Sequence, residues 1–410
     1  VTEQPPAAPS ALPRPSSAAS AASGASPSGS SPSPAAASFP SPVRIIGTGL
    51  IGGSLGLALS GAGVDVQIQD SSPGTESLAV EMGAGHRPGA TDAAPELVIV
   101  AAPPDVAARL VVEALAAFPD ATVCDVASVK ATVLSAVRRA AADPAAAISE
   151  SDLARYVGAH PMAGREVSGV IAARGDLFLA RPFVVVPHAT SRAESTALVR
   201  RLGSEIGSVP LVMDAVDHDL SVAHVSHAPQ VVASLLGASL ASAPERSLEL
   251  AGQGLRDTSR IAASDPRLWM EILSANAAAV SPILQEMRDR LDEVLAGLAS
   301  HTGEDDPAQG SRRAVAQLIA DGNIGVRRIP GRHGGAAEHF ATITVLVPDR
   351  PGELGRLFTE IGETGVNLED LALEHTFGQK VGIAHVSVQR GSEGLLTQAL
   401  RERGWTVAEG

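Results

Sequence analysis

The period of the apolar positions changes along the chain, and each change marks a new kind of structure. Between residues 42 and 213, the apolar runs VRII, VDVQIQD, ELVIVAAP, ATVCDVAS, YVGAH, RPFVVVP and VPLVMD read as strands, the earlier ones separated by helical stretches. Strands alternating with helices imply a mostly parallel sheet covered on both faces. From 214 to 300 the strand signals stop and a helical period takes over. One helix start is explicit there, with Asp265 as cap and Pro266 at the first helical position. Residues 301–337 read as a linker, made of the polar loop HTGEDDPAQGS and the Gly/Arg-rich connector GNIGVRRIPGRHGGA. From 338 to 410 the order is strand, helix, strand, strand, helix, strand, that of a ferredoxin-like α+β module. Its first helix puts Leu354, Leu357, Phe358 and Ile361 on one apolar face.

Composition sharpens this picture in four places. Residues 1–41 are rich in Ala, Pro and Ser, which bury too little apolar surface to fold, so a disordered extension is expected. The 20 uncharged residues from Ile45 to Val64 are long enough to cross a bilayer, but seven are glycine, crowded where a strand would turn into a helix. The formal charge of −14 disfavours nucleic acid and anionic membranes as partners. The single cysteine, Cys124, excludes an intrachain disulfide, and with no secretory signal at the amino terminus a cytoplasmic location is expected. Lys130 and Lys380 are the only lysines, against 29 arginines, so an arginine carries little information by type alone.

The strand VRII leads into GTGLIGG, where Gly47, Gly49 and Gly52 fit G-x-G-x-x-G, with Leu50 and Ile51 completing the loop and the helix SLGLALSGAG following. The first glycine permits the turn, the second lets a pyrophosphate approach, and the third lets helix and strand pack closely. Asp70 ends the next strand, where a carboxylate would hold the adenosine ribose and repel a 2′-phosphate, so NAD is expected over NADP. Ligands of such sheets lie outside the carboxyl ends of the strands. Ser128 and His160 sit just beyond two consecutive strands at that edge and should border the nicotinamide. A neutral His160 could accept a hydroxyl proton at physiological pH, although position alone leaves a structural turn histidine equally open. In the cluster His218, Asp219, His224 and His227, the last two are three apart on a helix and share a face; His218 cannot join them on that helix, and no metal is expected.

The segments IIGTGLIGGSLGLAL, DVASVK, HPMAGRE, HDLSVAHVSHAPQ and GLRDTSRIAASDPRLW, in this order and spacing, resemble the prephenate dehydrogenases over about residues 43–300. The carboxyl-terminal module resembles an ACT domain. The resemblance implies a Rossmann-like dinucleotide-binding domain, an all-α dimerisation domain and a regulatory module. The implied reaction is oxidative decarboxylation of prephenate to 4-hydroxyphenylpyruvate by a homodimer, with arogenate as the rival substrate. A non-catalytic amino-acid sensor is the alternative of another class. By the same resemblance His160 polarises the ring hydroxyl, Ser128 links that hydroxyl to the nicotinamide region, and Arg260 binds a substrate carboxylate, a role suited to a guanidinium fork. Glu166, His227 and Trp269 fall on the substrate side, and Gln230 stands where many relatives carry a histidine. Asp349, Pro351 and Gly352 at a strand-to-helix turn, with Asn367 opening the next strand, resemble the ACT loop for an effector such as tyrosine.

Overall fold

The computed structural model describes residues 39–165, 167–299, 308–329, 340–375 and 381–408. The proposed extension 1–41 lies almost wholly outside them, and so does Glu166.

The first domain alternates β1 (Val43–Ile46), α1 (Leu50–Gly61), β2 (Val66–Gln69), α2 (Pro73–Glu81), β3 (Leu97–Val100), α3 (Pro104–Ala117), β4 (Thr122–Asp125), α4 (Ala131–Ala142), α5 (Glu150–Leu153), β5 (Tyr156–Pro161), β6 (Pro182–Val186), α6 (Ala193–Glu205) and β7 (Val209–Val212). The sheet order is β2-β1-β3-β4-β5-β6-β7. The chain crosses from one side of β1 to the other between β2 and β3, so the topological switch lies where the loops after β1 and β3 diverge. The run LVIV of β3 is buried throughout, as expected of a strand covered on both faces.

The expected mostly parallel sheet has one reversal, at β5. Its first three residues pair in parallel with β4, ending at Asp125↔Gly158, and its last four pair antiparallel with β6, including His160↔Val184. His160 therefore lies within a strand that outlasts its parallel neighbour, rather than in a turn beyond it. Helix α1 also begins earlier than the expected SLGLALSGAG, because Gly53 already donates to the Gly49 carbonyl at 2.9 Å. The glycine loop is the helix's first turn.

The second domain is helical: α7 (Ala215–Val222), a π turn (Ala223–His227), α8 (Ala228–Leu240), α9 (Glu245–Leu248), α10 (Gln253–Ser259), a 3-10 turn (Arg260–Ala262), α11 (Pro266–Ala275) and α12 (Ala277–Ala299). Helix α11 starts as read, its Asp265 side chain accepting from Arg267 N and Pro266 opening the helix. Segments 215–222, 223–227 and 228–240 form one continuous helix, since the residues at both junctions keep right-handed helical dihedrals. Pro229 explains the π turn. Proline has no N–H for the Val225 carbonyl and its ring would strike that carbonyl, so the turn widens and Ala228 N reaches back to Ala223 O. As a result His224 is exposed while His227 is buried, and the expected shared face does not exist.

The expected linker 301–337 contains α13 (Ala308–Arg327), tied to α12 by an ion pair between Arg290 and Asp321 at 3.0 Å. The last module comprises β8 (Phe340–Pro348), α14 (Glu353–Glu363), β9 (Leu368–His375), β10 (Val381–Gln389), α15 (Glu393–Glu402) and β11 (Thr406–Ala408), in an antiparallel sheet of order β11-β8-β10-β9. Its core joins Val345, Ala384 and Val386 to Leu357, Ile361, Leu396 and Leu400 of the helices. Phe358, expected on the apolar face of α14, lies at the edge of that stripe and is 46% exposed. Among the described residues no helix is long and apolar enough to cross a membrane.

Candidate active site

The crevice at the switch point is shaped by absent side chains. Gly47 holds φ of +97°, and a Cβ there would lie 2.5 Å from the Ala101 carbonyl oxygen, so the two diverging loops touch backbone to backbone. A Cβ on Gly52 would lie 1.8 Å from the Gly47 carbonyl oxygen, which only glycine avoids. Around Gly49 nothing comes within 4 Å of a built Cβ. The start of α1 has no side-chain cap and no acidic residue in its first turn, with Leu50 and Ile51 contributing its first amides. An open approach, uncapped amides and a positive helix end together fit a dinucleotide pyrophosphate. Asp70 stands one strand away, its Oδ2 accepting from Thr48 N at 2.7 Å and Thr48 Oγ1 at 3.0 Å. This carboxylate therefore braces the glycine loop, at the place where a ribose would be read.

Further along the same sheet edge, β4, β5 and α7 meet in a buried polar network. Lys130 bonds Asp125 through Nζ and donates to Ala159 O at 2.7 Å; both side chains are at most 1% exposed. Asp125 also accepts from Tyr156 OH at 2.6 Å and Ala127 N at 3.0 Å. Gly158 makes room for the lysine, since its Cβ would sit 3.2 Å from Lys130 Cδ. The Lys130 and Ala131 amides in turn hold Asp219, at 2.8 and 2.9 Å. Asp219 Oδ1 is 2.8 Å from His218 Nδ1, and His218 Nε2 is 2.9 Å from His160 Nδ1. The two imidazoles meet edge-on, with centroids 5.1 Å apart.

His160 is only partly covered, yet its surroundings all oppose charge on the ring. Burial chiefly, then His218, Lys130 and His227, push its pKa well below the ordinary 6.5, so the ring is neutral at physiological pH. His227, 1% exposed, is pushed down to about 4 by burial, with Asp219 opposing that shift. Asn276 joins His227 to the network, its Nδ2 lying 2.9 Å from His227 Nδ1 and 2.8 Å from Asp219 O. Trp269 is half-buried and packs edge-on against His227, centroids 6.0 Å apart.

The remaining expected residues are placed less tightly. Ser128, half-buried in the loop between β4 and α4, makes no hydrogen bond to His160. Arg260 is exposed on the 3-10 turn that packs beside α8. Gln230 is buried and donates to Ser234 Oγ at 3.2 Å. In the last module, Asp349, Pro351 and Gly352 line a cavity of about 410 Å³ together with Leu354 and Leu373. Asn367 does not line it and bonds Glu369 instead. Sequence reasoning missed Lys130 and Asn276, and considered His218 and Asp219 only in the question of a metal.

Two family models match the chain: the nucleotide-binding domain of prephenate dehydrogenase over residues 55–212 and its dimerization domain over 214–306. A protein described as "Probable prephenate dehydrogenase NovF", from Streptomyces niveus, is 35% identical over 88% of this chain and 98% of its own length. The chain belongs to the prephenate dehydrogenase family. It is thereby an oxidoreductase. Another family relative, the cyclohexadienyl dehydrogenase of Zymomonas mobilis, is 30% identical over 64% of this chain and 90% of its own. The crystal structure of Aquifex aeolicus prephenate dehydrogenase in complex with hydroxyphenyl propionate and NAD+ is 26% identical, with a TM-score of 0.55 over 68% of this chain and 97% of that one. A Synechocystis arogenate dehydrogenase is 25% identical, with a TM-score of 0.52 over 68% of this chain and 98% of that one.

Proposed function

We propose that this member of the family catalyses NAD-dependent oxidative decarboxylation of prephenate to 4-hydroxyphenylpyruvate and carbon dioxide, as a homodimer in the cytoplasm. The observation that carries the reading is the imidazole of His160, held against charge at the carboxyl edge of a sheet whose glycine loop leaves an open approach to uncapped helix amides. The glycine loop with Leu50 and Ile51 would seat the pyrophosphate, and Asp70 the ribose. Bound NAD supplies the acceptor for the two electrons that leave the ring carbon. His160 takes the proton of the hydroxyl on that carbon while Ser128 orients the hydroxyl; the ring carboxylate then leaves as carbon dioxide, its bonding pair makes the ring aromatic, and His160 returns the proton to the ring oxygen. Arg260 meets a substrate carboxylate by charge and shape. His227, Trp269 and Glu166 belong to the substrate side, Glu166 lying outside the described residues.

The match to a dimerization domain and exposed apolar residues on its helices, such as Val232, Leu235 and Leu291, support self-association. The lone cysteine suits a reducing compartment. The βαββαβ module, with its cavity at the Asp349–Gly352 turn, supports an ACT-type regulatory role for residues 338–410, in which Asn367 bonds Glu369 rather than lining that cavity. NADH production measured with prephenate and arogenate, each with NAD and NADP, tests the reading. Turnover of prephenate with NAD is expected, and turnover of neither substrate refutes it. Deleting 338–410 should abolish inhibition by tyrosine; inhibition that survives the deletion assigns tyrosine to the active site.

A further inference from the structure

The network behind His160 has a direction, which follows from counting donors. As a carboxylate Asp219 offers only acceptors. It already accepts the amides of Lys130 and Ala131, so the His218 Nδ1 that lies 2.8 Å from it carries a hydrogen. A neutral His218 then has only a lone pair at Nε2. The atom facing that lone pair at 2.9 Å is His160 Nδ1, which must be the donor. The reverse arrangement needs a second proton on His218 in the resting enzyme, a standing charge on a side chain with 0% exposure whose carboxylate partner Asp219 is already shared with two amides.

We propose that His218 and Asp219 are positioning residues that lock His160 in the Nδ1–H tautomer, turning the lone pair of its Nε2 toward the substrate hydroxyl. The consequence rests on the reaction proposed above; the tautomer itself does not. A histidine free in water favours the other tautomer, whose Nε2 carries a hydrogen and cannot accept one.

The same chain of bonds accounts for how a ring so resistant to charge can serve as a base. The charged groups and rings facing His160 are His218, Lys130 and His227, and Lys130 is itself answered by Asp125. Burial first, and then the positive charge of Lys130, lower its pKa; the two rings add to this only when they themselves carry a second proton. When a proton arrives at Nε2, the Nδ1 proton can pass to His218 Nε2. The positive charge then rests on the ring next to the Asp219 carboxylate. No atom is gained or lost in the relay: the bond at His160 Nδ1 breaks as the one at His218 Nε2 forms.

The test is the nitrogen spectrum of the histidine rings in the full-length enzyme, labelled with ¹⁵N-histidine and recorded above neutral pH, with His160 assigned by its loss in His160→Asn. The wild-type protein should show a protonated Nδ1 and a bare Nε2 at His160. A bare Nδ1 there overturns the proposal, whatever any variant does. In His218→Phe the signal should move toward the Nε2–H form and kcat for prephenate should fall on the order of 100-fold, with KM changed less than about threefold. His218→Gln, whose amide oxygen can accept from His160, should recover at least about tenfold of that loss. A kcat for His218→Phe close to wild type also overturns the proposal. Failure of the wild-type enzyme to oxidise prephenate would instead sink the proposed function, and the spectrum would still decide the tautomer.

Discussion

Lys130→Met removes a buried cation and leaves its partner behind. Lys130 and Asp125 are 1% and 0% exposed, and Nζ makes two bonds, one to Asp125 and one to Ala159 O. Methionine keeps most of the volume but neither bond. Asp125 would retain Tyr156 OH and Ala127 N, too little for an ionised carboxylate out of water. Breaking one side of a buried ion pair costs about 3–5 kcal/mol. Two bonds to charged groups at roughly 1.5–3 kcal/mol each give a similar total. Urea unfolding followed by far-ultraviolet circular dichroism measures this. Asp125→Asn in the Lys130→Met background removes the stranded charge, so the double variant should be more stable than Lys130→Met alone. The site should respond too: with one positive charge gone, the pKa of His160 rises, and the acid limb of kcat moves to higher pH. A loss below about 1 kcal/mol in Lys130→Met, or a double variant worse than both single ones by their sum, would refute the account.

Gly52→Ala forces a Cβ to within 1.8 Å of the Gly47 carbonyl and should abolish NAD binding by calorimetry while the last module keeps its fold; unaltered affinity would show that the loop is not the cradle. Arg260→Ala should raise the apparent KM for prephenate about tenfold or more with a smaller change in kcat, read from initial rates. His227, neutral in the folded protein down to about pH 4, takes up its proton near 6.5 once unfolded. Between those values the unfolded chain binds more protons, so the stability contributed is full above about pH 6.5 and drains as pH falls toward 4. The urea midpoint should follow that course, and His227→Phe should flatten part of it.

Where a residue's role is local, the sequence was enough. VRII is β1 to the residue, and Asp265 with Pro266 opens α11, because both follow from local backbone chemistry. The start of α1 was not legible: its glycines argue for a loop, and only packing against β1 and Ala101 turns them into helix. Helix α13 was hidden in the same way, since Gly310, Gly322 and Gly325 weaken its local preference and contact with α12 supplies the rest. At the site, strand ends were enough to bring Ser128 and His160 to one edge of the sheet, although His160 lies inside β5 rather than beyond it. The partners of His160 could not be found that way, because His218 and Asp219 lie 58 and 59 positions away and reach it only through tertiary contact. One clue was present. In a chain with 29 arginines, a lysine in DVASVK marks a place where a compact point charge fits and a guanidinium does not.

The wide turn at Ala223–His227 sets an angular phase between the halves of its helix. Each residue of a regular helix advances about 100°, so deleting one residue from 223–226 would swing α7 by nearly a third of a revolution against α8. His227 would keep its seat beside Asn276 while His218 turned out of reach of β5. The alignment of one domain's imidazole with the other's is thus written in the hydrogen that Pro229 lacks.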